Sequence, residues 1–369
     1  MAEQGKERTA VITPADVTYR PDYAIPPGET VRETLESIGM TQADLARRTS
    51  LSAKHINQIV QGVAPISPDT ALALERVLGV PARFWLTLEA NYQSRQTRLR
   101  ERTVSDEDAA WLKSPAFKEL VKRGIIEATA DVAELRDRVL SFFGVVSREA
   151  WRAVWDSPGA SFRRSAAFQA DPVATAAWLR LGELQASGME IPPFDKDRFQ
   201  AALPAIRSIM VQDPEHFEPE MRRLCGESGV MLAIVDEVKG CRAHGAARWL
   251  PGGRALIQLS LRGRWEDQFW FSFFHEAGHL LLHSRREAYV DDPESNGPEE
   301  DEADKFAASV LIPPDTENAL LRIRTLDEAR ALALKLGIPP GIVVGRLQRE
   351  RIFDYTVGNK LRRRFSLVA

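Results

Sequence analysis

One stretch constrains the fold more than any other: Asp267-Gln-Phe-Trp-Phe-Ser-Phe-Phe-His-Glu-Ala-Gly-His-Leu-Leu-Leu-His-Ser284. Phe269, Trp270, Phe271, Phe273, Phe274, Leu280, Leu281 and Leu282 make it apolar nearly all round, which predicts a buried helix. Inside it, His275-Glu276-Ala277-Gly278-His279 forms an H-E-x-x-H pattern. Positions four apart share a helix face, so His275 and His279 aim two imidazoles at one point, as a tetrahedral zinc needs. Glu276, next to the first ligand, can reach a water at the open position and serve as the general base of a metalloprotease. A buried helix does not carry two histidines and a glutamate without partners, so the metal reading outweighs that of a plain core helix.

The 369 residues leave room for two or three domains, and 44% apolar content supports a sizeable core. The formal charge of −3 excludes no partner by itself and has to be read by segment. Two cysteines, Cys225 and Cys241, make no disulfide framework. With no secretory leader and no apolar run of membrane-spanning length, the chain is expected to be cytoplasmic, with no membrane contact.

Residues 1–25 are polar and proline-punctuated and predict a flexible arm. A short helix follows from Pro27 to a stop at Gly39. Thr41 then caps a helix with Leu45 and Ala46 inward, and after a tight turn at Ser50 and Leu51, Ser52 caps a second with Ile56, Ile59 and Val60 inward. Two short helices and a tight turn form a helix-turn-helix, and Ala53, Lys54, His55, Asn57 and Gln58 make an outward face suited to base edges in a major groove. Gly39-Met40-Thr41-Gln42-Ala43-Asp44-Leu45-Ala46, the segment from Ile66 to Leu74, Phe84-Trp85-Leu86 and Asn91-Tyr92 resemble the Xre-type helix-turn-helix of HigA-like antitoxins. The resemblance places Gln42, Ser52, Ala53, Lys54, His55 and Gln58 at DNA, Arg47 and Arg48 near phosphates, and implies a homodimer on a palindromic operator.

Residues 93–110 are highly charged. The segment 111–224 is rich in Ala, Leu and Arg, with helical spacing and tryptophans at 111, 151, 155 and 178 that read as core or interface rather than a binding box. From Gly229 the period changes. Val230 to Val235, Gly245 to Trp249 and Arg254 to Leu261 read as strands of a small antiparallel sheet, with Pro251-Gly252-Gly253 as a turn. An edge of that sheet could hold an extended substrate.

After the metal helix, Asp291 to Asp304 holds eight acidic residues and no basic one. Pro298 starts a helix whose first-turn acids suit its dipole, and Pro313-Pro314 ends it. A third zinc ligand should come from this helix, with Glu300 and Glu302 as candidates. Glu300 shares a face with Asp304, Ala307 and Leu311. His283, one turn past His279, drifts away from the metal and reads as supporting group or surface. Lys360 and Arg362 to Arg364 read as a solvated basic tail.

The segments Gly245 to Leu250, Ile257 to Arg262, Phe269-Trp270-Phe271, Phe274 to His283, Glu300 to Ala308 and Leu336 to Gln348 resemble the ImmA/IrrE family of metallo-endopeptidases. The family has Leu-Leu-Met-Pro where this chain has Val310-Leu311-Ile312-Pro313. Its third ligand is a glutamate four residues before the Asn or Asp of the second helix, which implies Glu300, counting back from Asp304. Its substrate class implies an Xre-type transcriptional repressor, cleaved to switch genes on in a stress, mobile-element or toxin–antitoxin circuit.

The chain is therefore expected to be mainly α with a small antiparallel sheet, an α+β fold. An arm (1–25), a helix-turn-helix DNA-binding domain (26–95) and a helical connector (96–194) precede a zincin-like metallopeptidase domain (195–369). His275, His279 and Glu300 would hold Zn2+, and Glu276 would take the attacking water's proton and pass it to the leaving amine. The competing reading is a non-proteolytic, antitoxin-like regulator that uses the peptidase fold as a sensor or partner platform.

Overall fold

In a computed structural model of the chain, residues 23–156, 171–260, 265–283, 289–291 and 297–365 are described. The expected N-terminal arm lies outside them up to residue 22, as does Leu261 of the third expected strand. The chain divides into two compact units, residues 1–105 and 106–369.

The first unit is built from α1 (Pro27–Ser37), α2 (Gln42–Thr49), α3 (Ala53–Val60), α4 (Pro68–Leu78) and α5 (Ala82–Glu101). Thr41, Ser52 and Ser67 each accept a first-turn backbone N–H through their side-chain oxygen, which starts α2, α3 and α4. The α2–α3 turn passes through Ser50 in the left-handed region, at φ 59°. Val31, Leu35, Leu45, Ile56, Ile59 and Leu74 close around Trp85 as the core. Among the described residues of this unit, one carboxylate is buried, that of Glu89. It accepts from the Ile66 amide at 3.0 Å and from Gln93 Nε2 at 2.8 Å, so its charge is not left bare.

The second unit is organised on a sheet whose described strands are β1 (Val230–Val235), β2 (Gly245–Leu250), β3 (Arg254–Ser260) and β4 (Tyr289–Asp291), in the order β1-β3-β2-β4. The antiparallel pairing expected throughout holds for β2 with β3 and for β2 with β4, but β1 runs parallel to β3, with Val230 opposite Ala255. The reason is topological. The connection 236–244 carries the chain back down in β2 one strand away from β1, and the hairpin then sends β3 up the gap between them. Strand β4, which the sequence did not suggest, pairs with β2 through Tyr289 opposite Ala247.

Both faces of the sheet are covered, which is why Val230 to Val235 is an unbroken apolar run rather than an alternating one. Met231, Ala233 and Val235 face a layer made by α6 (Asp106–Trp111), α7 (Pro115–Lys122), α8 (Val132–Phe143), α9 (Arg148–Trp151) and α10 (Pro172–Ser187). Trp151, Trp155 and Trp178 are buried in that layer, as core. Polar side chains also fasten it to the sheet. Gln258 Nε2 donates to the Trp178 carbonyl at 2.7 Å, and Arg248 Nη2 to the Leu179 carbonyl at 2.9 Å.

Val230, Leu232 and Ile234 face the opposite layer, made by α11 (Lys196–Ser208), α12 (Pro214–Glu227), α13 (Glu266–Leu282), α14 (Pro298–Leu311), α15 (Glu317–Leu320), α16 (Leu326–Leu336) and α17 (Pro340–Arg349). The C-terminal basic cluster, expected as a solvated tail, is instead partly drawn into this layer. Arg362 pairs with Asp267 at 2.8 Å and Arg363 with the fully buried Glu266 at 2.6 Å. Two acids in the first turn of a buried helix need counter-charges, and this segment supplies them. No helix among the described residues is long and apolar enough to cross a membrane.

Candidate metal centre and helix-turn-helix

Helix α13 lies between the sheet and α14, and His275, Glu276 and His279 on it are all buried. The 3.6-residue turn sets the two imidazoles one above the other, with their Nε2 atoms 3.0 Å apart. Helix α14 comes close enough to add a carboxylate because both contact faces are small. Ala303 and Ala307 are fully buried, and a Cβ on Gly278 would sit 3.2 Å from the Ala303 Cα. Glu300 Oε2 then lies 3.0 Å from His275 Nε2 and 3.5 Å from His279 Nε2.

These two nitrogens and one oxygen all fall within 4.8 Å of one another. The ligands of a tetrahedral zinc, bonded at about 2.0–2.1 Å, sit roughly 3.3 Å from each other. The donor types and their spacing therefore fit such an ion. Glu302, the other candidate, points elsewhere: its Oε2 is 3.2 Å from His283 Nε2.

The electrostatics suit a cation. Burial alone would raise the Glu300 carboxyl, but the facing His275 and His279 imidazoles hold it down at about 2. Burial pushes the His279 imidazole below its ordinary value, and the facing Glu300 offsets this only in part, so the neutral, ligating form is favoured. Asp304, one turn beyond Glu300, lies with Oδ1 2.9 Å from His275 Nδ1 and also pairs with Arg349. His275 can thus donate its Nδ1 proton to Asp304 and keep Nε2 free.

Glu276 is fully buried between α13 and β2. Gly245, the first residue of β2, lies against its carboxylate so closely that a Cβ there would be 2.5 Å from Oε1. A cleft of about 670 Å³ opens beside His275 and Glu300, with His244, Phe271, Arg349 and Tyr355 among its walls. His244 and Tyr289 escaped the reading by sequence, which took Gly245 only as part of a strand and of the family resemblance and Asp304 only as a marker for Glu300 on the same helix face.

In the first unit, Arg47, Arg48, Ser52, Ala53 and Lys54 are exposed, and Gln42, His55 and Gln58 half-buried. The Ser52 hydroxyl accepts from the His55 amide at 3.1 Å, and Arg47 pairs with Asp44 within α2. The residues expected at DNA thus lie on α3 and its cap Ser52, at the start of α2 (Gln42) and in the last turn of α2 (Arg47 and Arg48), with Ile56 and Ile59 turned into the core.

Residues 31–85 match the helix-turn-helix family, and residues 250–348 match the IrrE N-terminal-like domain of peptidase family M78. Virulence-associated protein I of Dichelobacter nodosus is 34% identical over 83 residues, 22% of this chain and 77% of that protein. Among solved structures, an addiction-module antidote protein of the HigA family from Coxiella burnetii is 26% identical, covering 29% of this chain and 96% of its own, with a TM-score of 0.20. Pseudomonas aeruginosa antitoxin HigA with the higBA promoter is 28% identical over 29% of this chain and 98% of its own, also at 0.20. Through its first domain the chain belongs to the helix-turn-helix family that includes virulence-associated protein I, and its second unit carries an IrrE N-terminal-like domain.

Proposed function

We propose that the chain is a DNA-binding zinc metallo-endopeptidase that cleaves an Xre-type transcriptional repressor to switch genes on in a stress, mobile-element or toxin–antitoxin circuit. One observation carries the reading: His275 Nε2, His279 Nε2 and Glu300 Oε2 meet at a buried point on the helix that also bears Glu276. Bound at that point, zinc supplies Lewis acidity. His275, His279 and Glu300 are the groups that hold it. Asp304 keeps His275 in the ligating tautomer. Glu276 takes the proton of the attacking water and returns it to the leaving amine, and its burial keeps bulk water from competing for that proton. The half of the reading that concerns DNA rests on the helix-turn-helix match. In this reading α3 enters the major groove of an operator, and a homodimer matches its two half-sites.

The test is Glu276→Gln. The substitution keeps shape and hydrogen-bonding capacity but removes the base, so the protein should fold, retain zinc and still bind DNA. It should lose proteolysis by the roughly 10²–10⁴-fold that general-base catalysis supplies, or more. The second reading, a non-proteolytic regulator, is favoured by the helix-turn-helix match of the first domain, which needs no peptidase to act on DNA. A normal transcriptional response from Glu276→Gln protein at wild-type abundance would decide for that reading and against the peptidase.

A further inference from the structure

Among the described residues, His279 Nδ1 meets no carboxylate directly. Where His275 meets Asp304 directly, His279 Nδ1 lies 2.9 Å from His283 Nδ1, and His283 Nε2 lies 3.2 Å from Glu302 Oε2. Tyr289 stacks on the His279 ring at 4.1 Å with the planes 13° apart, and flanks His283 at 5.3 Å. The stack restrains how the His279 ring tilts. The hydrogen bond to His283 then sets which nitrogen carries its proton.

We propose that Glu302 and His283 form a two-step relay that fixes the tautomer of His279, making both of them positioning residues of the metal centre. The inference rests on the reading of His275, His279 and Glu300 as ligands. Two Nδ1 atoms at 2.9 Å share a single proton, so one ring donates and the other accepts. An ionised carboxylate only accepts, so Glu302 holds the His283 proton on Nε2. His283 Nδ1 is then the acceptor. His279 must donate from its own Nδ1, and its Nε2 lone pair is left facing His275 and Glu300. Were His283 reversed, with its proton on Nδ1, the His279 proton would be driven onto Nε2, where it blocks the metal. The two ligand histidines are thus oriented by carboxylates in two ways: His275 directly by Asp304, and His279 through an interposed imidazole whose side chain is only 5% exposed. Glu302, although 61% exposed, acquires a role other than ligation.

The test measures zinc affinity of the full chain by competition with a chromophoric chelator. His283→Ala should weaken binding about 10–100-fold, the usual cost of losing an outer partner of a ligand. His283→Asn should restore most of it, because Asn Oδ1 occupies the place of Nδ1 and accepts from His279. Glu302→Ala should weaken binding less than His283→Ala, and Glu302→Gln, which still accepts, should stay near wild type. If His283→Ala does not fold, the exposed Glu302→Ala substitution and His283→Asn still decide. In zinc-loaded protein, 15N correlation spectra of labelled histidine should place the His283 proton on Nε2. A His283 proton on Nδ1, a His283→Ala affinity equal to wild type, or a His283→Asn affinity as weak as His283→Ala would each overturn the relay. Wild-type protein that takes up no zinc would instead overturn the ligand reading beneath it.

Discussion

Substituting Gly245 by Ala should separate catalysis from metal binding. A Cβ at this position would lie 2.5 Å from Glu276 Oε1, 2.7 Å from its Cγ and 3.0 Å from its Cδ. To regain an ordinary contact of about 3.4 Å, the carboxylate must retreat by about 0.9 Å within a fully buried site. A displacement near 1 Å of a reacting group costs on the order of 10² in rate. Gly245→Ala should therefore lower kcat about 100-fold on whichever member of a pool of internally quenched peptides the wild type cleaves. Zinc affinity should stay unchanged, because none of the three donor atoms lies among the nearest contacts of the new methyl. Overpacking of this kind costs about 1–3 kcal/mol in stability, which thermal unfolding would register. A Gly245→Ala protein with wild-type kcat would refute the idea that this glycine seats the base. Loss of zinc along with activity would show that the strand, not the carboxylate, had moved.

Other consequences are open to direct measurement. Glu300→Gln should lower zinc affinity beyond the about 10–100-fold that an outer partner contributes, and further than Glu302→Gln does; the reverse order in a chelator titration would move the ligand to Glu302. His55→Ala or Gln58→Ala should relax sequence preference at individual bases by about 1–3 kcal/mol, while Arg47→Ala weakens binding to all sequences alike. A binding-site selection that returns no motif from the wild type would defeat that assignment. Burial pushes the Cys225 thiol up to about 12, so at pH 8 only about one part in 10⁴ is thiolate, and the reactive form grows only as pH rises towards that value. Iodoacetamide should modify Cys225 only after unfolding, and rapid native-state labelling would contradict its burial. Finally, a fragment starting at residue 195 lacks the helical layer over Met231, Ala233 and Val235 and should aggregate or bind the dye ANS, whereas residues 106–369 should fold; a monomeric, cooperative 195–369 fragment would show the layer to be dispensable.

What could be read from the sequence was what depends on near neighbours. The caps Thr41 and Ser52, the inward Ile56 and Ile59, and the H-E-x-x-H face of α13 all follow from spacing within one or two turns. What could not be read depends on distant partners. Strand β4 has three residues, too few to display a period. The parallel pairing of β1 with β3 is a matter of which gap the hairpin fills, and no local pattern encodes it. Arg363 looked like tail because its partner Glu266 is 97 residues away. The helices from α6 to α10 could be seen to have apolar faces, but an amphipathic face does not say what it will cover.

The acidic run on α14 illustrates the same limit and also why it resolves as it does. Sequence spacing alone left both Glu300 and Glu302 open. The helix touches α13 through Ala303, which sits over Gly278, and successive residues turn by about 100°. Measured from Ala303, Asp304 lies about 100° to one side, and Glu300, three residues back, about 60° to that same side. Glu302 lies about 100° to the other. One flank of α14 carries Glu300, against the paired Nε2 atoms, and Asp304, against the back of His275, while the opposite flank carries Glu302, against His283. In the proposed reading, this small-residue contact between two helices sorts three neighbouring carboxylates into a ligand, a direct orienting partner and a relayed one. Enlarging Ala303 would disturb all three positions at once.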